Sequence, residues 1–97
     1  MPRPDETTAQ YNIRTRLGVT PAQARLLAKL YEGNGKAVSA NDLLDACSGH
    51  WDVYPEVLKV QVSKIRRRLG ADMIPNVWSV GYRLSLAGME TVRGALA

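Results

Sequence analysis

The segment from Pro55 to Gly70 constrains this chain more than any other. Leu58, Val62, Ile65 and Leu69 recur at helical spacing and share one stripe of a helix. Lys59, Val60, Ser63, Lys64 and Arg67 fall on another face. Pro55 suits the first position of a helix, and Gly70 closes it. Such a helix has to be covered on one side and left wet on the other. Its charge is lopsided as well. Lys59, Lys64, Arg66, Arg67 and Arg68 stand against Glu56 alone, a net +4 that equals the net charge of the whole chain. A basic stripe on an otherwise neutral chain points to a polyanion partner or to a solvated helix face, and charge alone leaves both open.

The partners that cover the apolar stripe are legible upstream. Thr20-Pro21-Ala22-Gln23 reads as a capping box with proline at the first helical position. Ala24, Leu27, Ala28 and Tyr31 follow at helical spacing, Leu26 and Leu30 widen the apolar face, and Gly33-Asn34-Gly35 ends the helix. Lys36-Ala37-Val38 is a short extended connector. Ser39 caps a further helix, with Asp42 favoured by the helix dipole and Leu43, Leu44 and Cys47 facing inward as far as Ser48-Gly49. His50–Tyr54 is a loop. From Thr7 to Leu17, the residues Ala9, Ile13 and Leu17 recur every four, which predicts an extra N-terminal helix that stops at Gly18.

Beyond Pro75 the period changes to two. Val77 points one way and Asn76 and Trp78 the other. Tyr82, Leu84 and Leu86 then alternate with Arg83 and Ser85, which predicts a β-hairpin with Gly81 in or near its turn. Met89, Val92 and Leu96 suggest a last short helix within 88–96. The expected architecture is mainly α with a small β-hairpin: a winged helix-turn-helix with a three-helix core and a C-terminal wing. Residues 1–6 form a tail and residues 7–97 a single domain. The two extra helices, 7–17 and 88–96, either cap the core or make a homodimer.

Several functions are excluded by what the chain lacks. A lone cysteine, Cys47, forms no internal disulfide, and with a lone histidine, His50, it makes no structural zinc site. Cys47 and His50 lie three apart, but no orienting third group accompanies them, so no nucleophile pair and no enzyme is expected. Asp42 and Asp45 read as a solvated helix face rather than an acid/base pair. Gly33-Asn34-Gly35 lacks the lysine of a phosphate loop. No cofactor and no metal is expected. No apolar run approaches the roughly 20 residues of a membrane span, and Met1–Glu6 lacks the apolar stretch of a signal peptide, so the expected compartment is the cytoplasm.

The third helix and hairpin read Val62-Ser63-Lys64-Ile65-Arg66-Arg67-Arg68-Leu69-Gly70, then Ile74, then Val77-Trp78-Ser79-Val80-Gly81-Tyr82-Arg83-Leu84. This resembles the DNA-binding domain of response regulators of the OmpR/PhoB type, in which an S-R-L-R-R-K-L-G-like helix end precedes a V-R-G-V-G-Y-R-L-like wing. Thr20-Pro21 and Val38-Ser39 also fit, so the resemblance spans about residues 20–86. It implies sequence-specific binding of double-stranded DNA in transcription regulation, with recognition helix 55–69 in the major groove and wing 76–86 at the minor groove. It also implies that loop Ser48–Tyr54, carrying His50, Trp51 and Tyr54, touches RNA polymerase. Three features depart from the family. Residues 1–19 are too short for its N-terminal sheet and read as helical. The sequence holds no receiver domain, so the expectation is a stand-alone bacterial or phage regulator. Trp78 stands where the family usually has arginine.

Each site residue also has a plainer reading. Lys64 and Arg67 reach phosphates or guanine edges, or are solvated surface charge. Gln61 and Ser63 bond base edges or merely fill the helix surface. Val60 meets a thymine methyl or packs under the wing. Arg66 and Arg68 flank the reading face and anchor phosphates. Lys59 touches a phosphate or pairs with Glu56. In the wing, Asn76, Trp78 and Ser79 face the minor groove, or the Trp78 indole folds back on the core. Trp51 and Tyr54 form a partner patch or anchor their loop to the core. The alternative function is a winged-helix protein-interaction module that docks on RNA polymerase or another regulator.

Overall fold

The computed structural model describes residues 4–48 and 55–97. Its elements are α1 (Thr8–Leu17), α2 (Pro21–Glu32), β1 (Val38–Ser39), α3 (Ala40–Ser48), α4 (Pro55–Leu69), β2 (Asn76–Val77), β3 (Gly81–Tyr82) and α5 (Leu86–Leu96). Helices α2, α3 and α4 form the expected core, and β2 and β3 form the wing. The helix starts follow local chemistry. At α2 the Thr20 side chain accepts from the Gln23 N–H while the Gln23 side chain accepts from the Thr20 N–H. The same reciprocal cap joins Thr7 and Gln10 at α1. Ser39 accepts from the Asp42 N–H at α3. Each cap satisfies backbone donors that the first turn leaves open.

The core is mostly aliphatic, since the chain has no phenylalanine. Leu58, Val62 and Ile65 of α4 are buried with Ala24, Leu26, Leu27 and Leu30 of α2 and with Leu43 and Cys47 of α3. Met73, Ile74, Tyr82 and Leu84 close this core from the wing side. Helices α1 and α5 pack against each other and against α2. Ile13 is buried, Leu17 half-buried and Ala9 exposed, while Met89, Val92 and Ala95 are buried on α5. Of the two uses expected for the extra helices, capping the core is the one observed. Glu6, placed in the tail by the sequence, pairs with both Nε and Nη2 of Arg14 at 2.7 and 3.1 Å.

The hairpin is part of a larger sheet. The strand order is β1-β3-β2, antiparallel throughout, with Val38 opposite Tyr82, Ser39 opposite Gly81, Asn76 opposite Tyr82 and Val77 opposite Gly81. The connector Lys36-Ala37-Val38 therefore leads into an edge strand, which two residues could not announce by periodicity. Gly81 lies in the central strand just past the turn. A Cβ there would collide with the Val38 carbonyl oxygen and come within 2.7 Å of the Ala40 nitrogen, so the close approach of β1 is what demands glycine. The turn is Val77–Val80, closed by the Val80 N–H on the Val77 carbonyl at 3.0 Å, with Ser79 left-handed at φ 63°. Glycine is the usual occupant of that third turn position.

The wing also ends earlier than the expected 76–86. Leu84 is buried as predicted, but Leu86 is 76% exposed. Ser85 breaks the alternation: it caps α5 by accepting from the Gly88 N–H, and its own N–H donates to Met73 at 3.0 Å. Leu86 is thereby the first residue of a helix rather than a strand position. Two substitutions test this account of the wing. Ser79→Gly removes left-handed strain and is expected to raise stability by about 0.5–1 kcal/mol after the entropy cost of glycine. Gly81→Ala is expected to lower it by about 1–3 kcal/mol through overpacking. Thermal melts of the two variants beside the parent measure both; a neutral Gly81→Ala would contradict the close approach of β1.

Candidate nucleic-acid interface

Burial of Leu58, Val62 and Ile65 turns the opposite side of α4 to solvent. Lys59, Val60, Ser63, Lys64 and Arg67 are all exposed there and line one shallow concavity. Among the described residues, Lys59, Lys64 and Arg67 have no hydrogen-bond or ion-pair partner, and Lys59 is not paired with Glu56. Val60 is 48% exposed, so it does not pack under the wing. Lys59 also lines a second concavity with Ala40 and with residues 76–82 of the wing. The open face of α4 and the wing are therefore one continuous surface, joined at Lys59. Trp78 stands on its rim, 92% exposed at the turn of the hairpin. Ser79 and Asn76 are exposed beside it.

Three of the expected contact residues are placed differently. Gln61 is half-buried and accepts at 3.0 Å from Nε2 of Gln23, a residue only 6% exposed. Gln23 spends its carbonyl on the α2 cap and its amide on Gln61, so both ends are satisfied and Gln61 is a link between α2 and α4. Arg66, expected to flank the reading face as a phosphate anchor, turns toward the wing. Its Nε donates to the Ile74 carbonyl at 3.0 Å, and its Nη2 donates to the same oxygen and to Asn76 Oδ1 at 2.7 Å. Its guanidinium lies 5.6 Å from the Tyr82 ring centroid. Arg68 is exposed, but its Nε donates to the Leu17 carbonyl at the end of α1 at 3.1 Å. Asn76 keeps its place at the wing edge with its side-chain oxygen committed to Arg66.

Arginine from α2 fixes the other arm of the helix-turn-helix. Arg25 donates to the carbonyls of Ala46 and Cys47 at 3.0 and 2.9 Å, where the last turn of α3 leaves acceptors open and the helix dipole favours a cation. Nothing in the sequence marked these side chains, because an arginine at helical spacing reads the same whether it bonds a distant carbonyl or water. Cys47 is a core residue whose burial pushes its thiol pKa up, against a smaller downward pull from Arg25. His50, Trp51 and Tyr54 lie outside the described residues. Among the described residues no group of acidic, cysteine or histidine side chains is placed to hold a metal ion, and no helix is long and apolar enough to cross a membrane.

Comparison with known proteins places this surface in context. A family described as transcriptional regulatory protein, C terminal, matches residues 14–84. The transcriptional regulatory protein CseB of Streptomyces coelicolor is 32% identical over 69 residues, covering 70% of this chain and 30% of CseB. The response regulator protein PmrA of Pseudomonas aeruginosa is 36% identical over 66 residues, 66% of this chain and 29% of PmrA. The chain thus spans about 30% of the length of these curated relatives. The DNA-binding domain of E. coli CadC superposes with a TM-score of 0.63 at 23% identity, covering 69% of this chain and 68% of the other. The AdeR DNA-binding domain, solved in complex with an intercistronic region, superposes with a TM-score of 0.61 at 25% identity, covering 69% and 71%.

The Gln23–Gln61 link separates a structural glutamine from a surface one. Gln61→Leu leaves the buried Gln23 amide without an acceptor and is expected to cost about 1–3 kcal/mol of stability. A surface filler would cost within about 0.5 kcal/mol. Urea denaturation of the variant measures the difference.

Proposed function

The chain belongs to the family of transcriptional regulatory protein C-terminal domains, and on that premise we propose that it binds specific double-stranded DNA sequences to regulate transcription. Helix α4 enters the major groove and the wing lies at the adjacent minor groove. The observation that carries this reading is the exposed face of Lys59, Val60, Ser63, Lys64 and Arg67, continuous with the wing and holding three cations without partners among the described residues. A B-DNA major groove admits one α-helix, and lysine or arginine there reads guanine while phosphates fix the register. Lys64 and Arg67 are the readers, Ser63 bonds a base edge and Val60 meets a thymine methyl. Lys59, between helix and wing, holds a phosphate, and Arg68 reaches another with the donors that Leu17 leaves over.

Trp78 replaces the arginine usual in the family, so the wing approaches the minor groove through an uncharged indole that lies along sugars or wedges at a base step. An indole that is almost wholly exposed is costly surface until a partner covers it. In a bacterial cell that partner is met in the cytoplasm. RNA polymerase docking and homodimerisation stand outside this proposal. The residues expected to carry the first, His50, Trp51 and Tyr54, lie outside the described residues, and of those expected to carry the second, Ile13, Met89 and Val92 are buried within the monomer.

A salt titration on a selected duplex and on random DNA tests the reading. Neutralisation of about four phosphates by Lys59, Lys64, Arg67 and Arg68 gives a slope of log affinity against log salt of about −3 to −4. Lys64→Ala is expected to cost about 1–3 kcal/mol on the selected site and much less on random DNA, while Arg68→Ala weakens both alike. Trp78→Ala is expected to weaken binding, leave the slope unchanged and leave the melting temperature intact. Binding that is absent at low salt, or flat with salt, defeats the proposal.

A further inference from the structure

One guanidinium joins the two halves of this surface. We propose that Arg66 is a positioning residue: it sets the angle of the wing against α4, so that Trp78 and the open face of α4 meet one duplex together. The inference rests on the DNA-binding reading above. Arg66 leaves α4 half-buried, beside the apolar stripe, and its planar fork reaches three points of the wing. The Ile74 carbonyl, which accepts from Nε and Nη2, is on the chain leading into β2. Asn76, which accepts from Nη2 at 2.7 Å, begins β2. Tyr82, under the guanidinium at 5.6 Å, sits opposite Asn76 in the central strand. Arginine fits this task because its donors are held in a rigid plane, whereas a lysine ammonium offers a point charge.

The wing needs such a support. Its strands are two residues long, and a short hairpin is marginal by itself. The sheet is tied to α3 through β1 and through the Ala40 N–H on the Val80 carbonyl. On the α4 side, no other side chain of that helix hydrogen-bonds to the wing among the described residues. The acceptors on Arg66 are a carbonyl and an amide, both neutral, so its charge still adds to the basic surface. Swinging out to a phosphate would strip the Ile74 and Asn76 oxygens of their donor. A wing held at a set angle presents Trp78 without an ordering cost at the moment of binding.

The test exploits the uncharged wing contact. Duplex affinity and its salt slope are measured for the parent and for Arg66→Met, Arg66→Lys, Asn76→Ala and Trp78→Ala, with Arg66→Met also combined with Trp78→Ala. Arg66→Met is expected to weaken binding roughly fivefold to tenfold through lost preorganisation, with the parent's salt slope retained. The loss disappears when Trp78 is already alanine. Arg66→Lys keeps the charge but not the fork and recovers little, and Asn76→Ala shows a smaller loss of the same kind. Should Arg66→Met fail to fold by circular dichroism, Arg66→Lys and Asn76→Ala decide. A slope shallower by about 0.9 makes Arg66 a phosphate contact instead. Full recovery by lysine, or a loss that persists beside Trp78→Ala, also overturns the proposal. If the parent binds no duplex at low salt, it is the DNA-binding reading that has failed; parent binding with any of the adverse variant results removes only the positioning role.

Discussion

Burial of Leu58, Val62 and Ile65 fixes the rotation of α4, and the exposed surface follows from that rotation. Each such side chain contributes on the order of 1.5–3 kcal/mol when removed from water. Turning the helix by one residue, about 100°, would bring this stripe into solvent and carry Lys59 or Lys64 toward the core. A buried, unpaired ammonium is far more costly than an exposed one. The basic face is therefore presented by the hydrophobic effect on the opposite side of the same helix. Helix α2 covers the apolar stripe of α4 through its buried face of Ala24, Leu26, Leu27 and Leu30, beside Leu43 and Cys47 of α3, and the Gln23–Gln61 hydrogen bond ties α4 to the α2 start.

Tertiary contacts then sort the cations into two kinds. Arg25 bonds the last carbonyls of α3, Arg68 the last carbonyl of α1, and Arg16 the carbonyls of Ala95 and Ala97 at the end of α5. Helix C-termini leave such carbonyls without partners and carry a partial negative charge. Arg66 does the same service for the strand connection at Ile74. Among the described residues, what remains open on the α4 face is Lys59, Lys64 and Arg67. The donors free to meet a ligand are thus set less by the number of basic residues than by which of them carbonyl and amide oxygens have already engaged.

Legibility in the sequence tracked the strength of the local signal. Helix α2 was readable because a capping box and a periodic apolar face agree with one another, and α4 because its apolar stripe keeps helical spacing from Leu58 to Leu69. Strand β1 was not, since two residues carry no period and their pairing partner lies more than forty positions away. Leu86 misled for the opposite reason: it extends a chance alternation from Tyr82 and Leu84 across Ser85, whose cap begins a helix. In the candidate site, the face carrying Lys59, Val60, Ser63, Lys64 and Arg67 was legible from spacing. The inward turn of Gln61 and Arg66 was not, because long polar side chains can reach either way from the same helical position.

By itself, the sequence determined the helix-turn-helix with a wing, the stripe of α4 that goes inside and the side that stays basic. Those properties depend on period, capping and composition, which are local. Only the tertiary structure decided that α1 and α5 cover the core, that Gly81 answers to a third strand, and that Arg66 belongs to the wing. Each of these depends on which carbonyl or backbone atom from a distant segment arrives within about 3 Å. Chain packing sets that distance, and no periodicity records it.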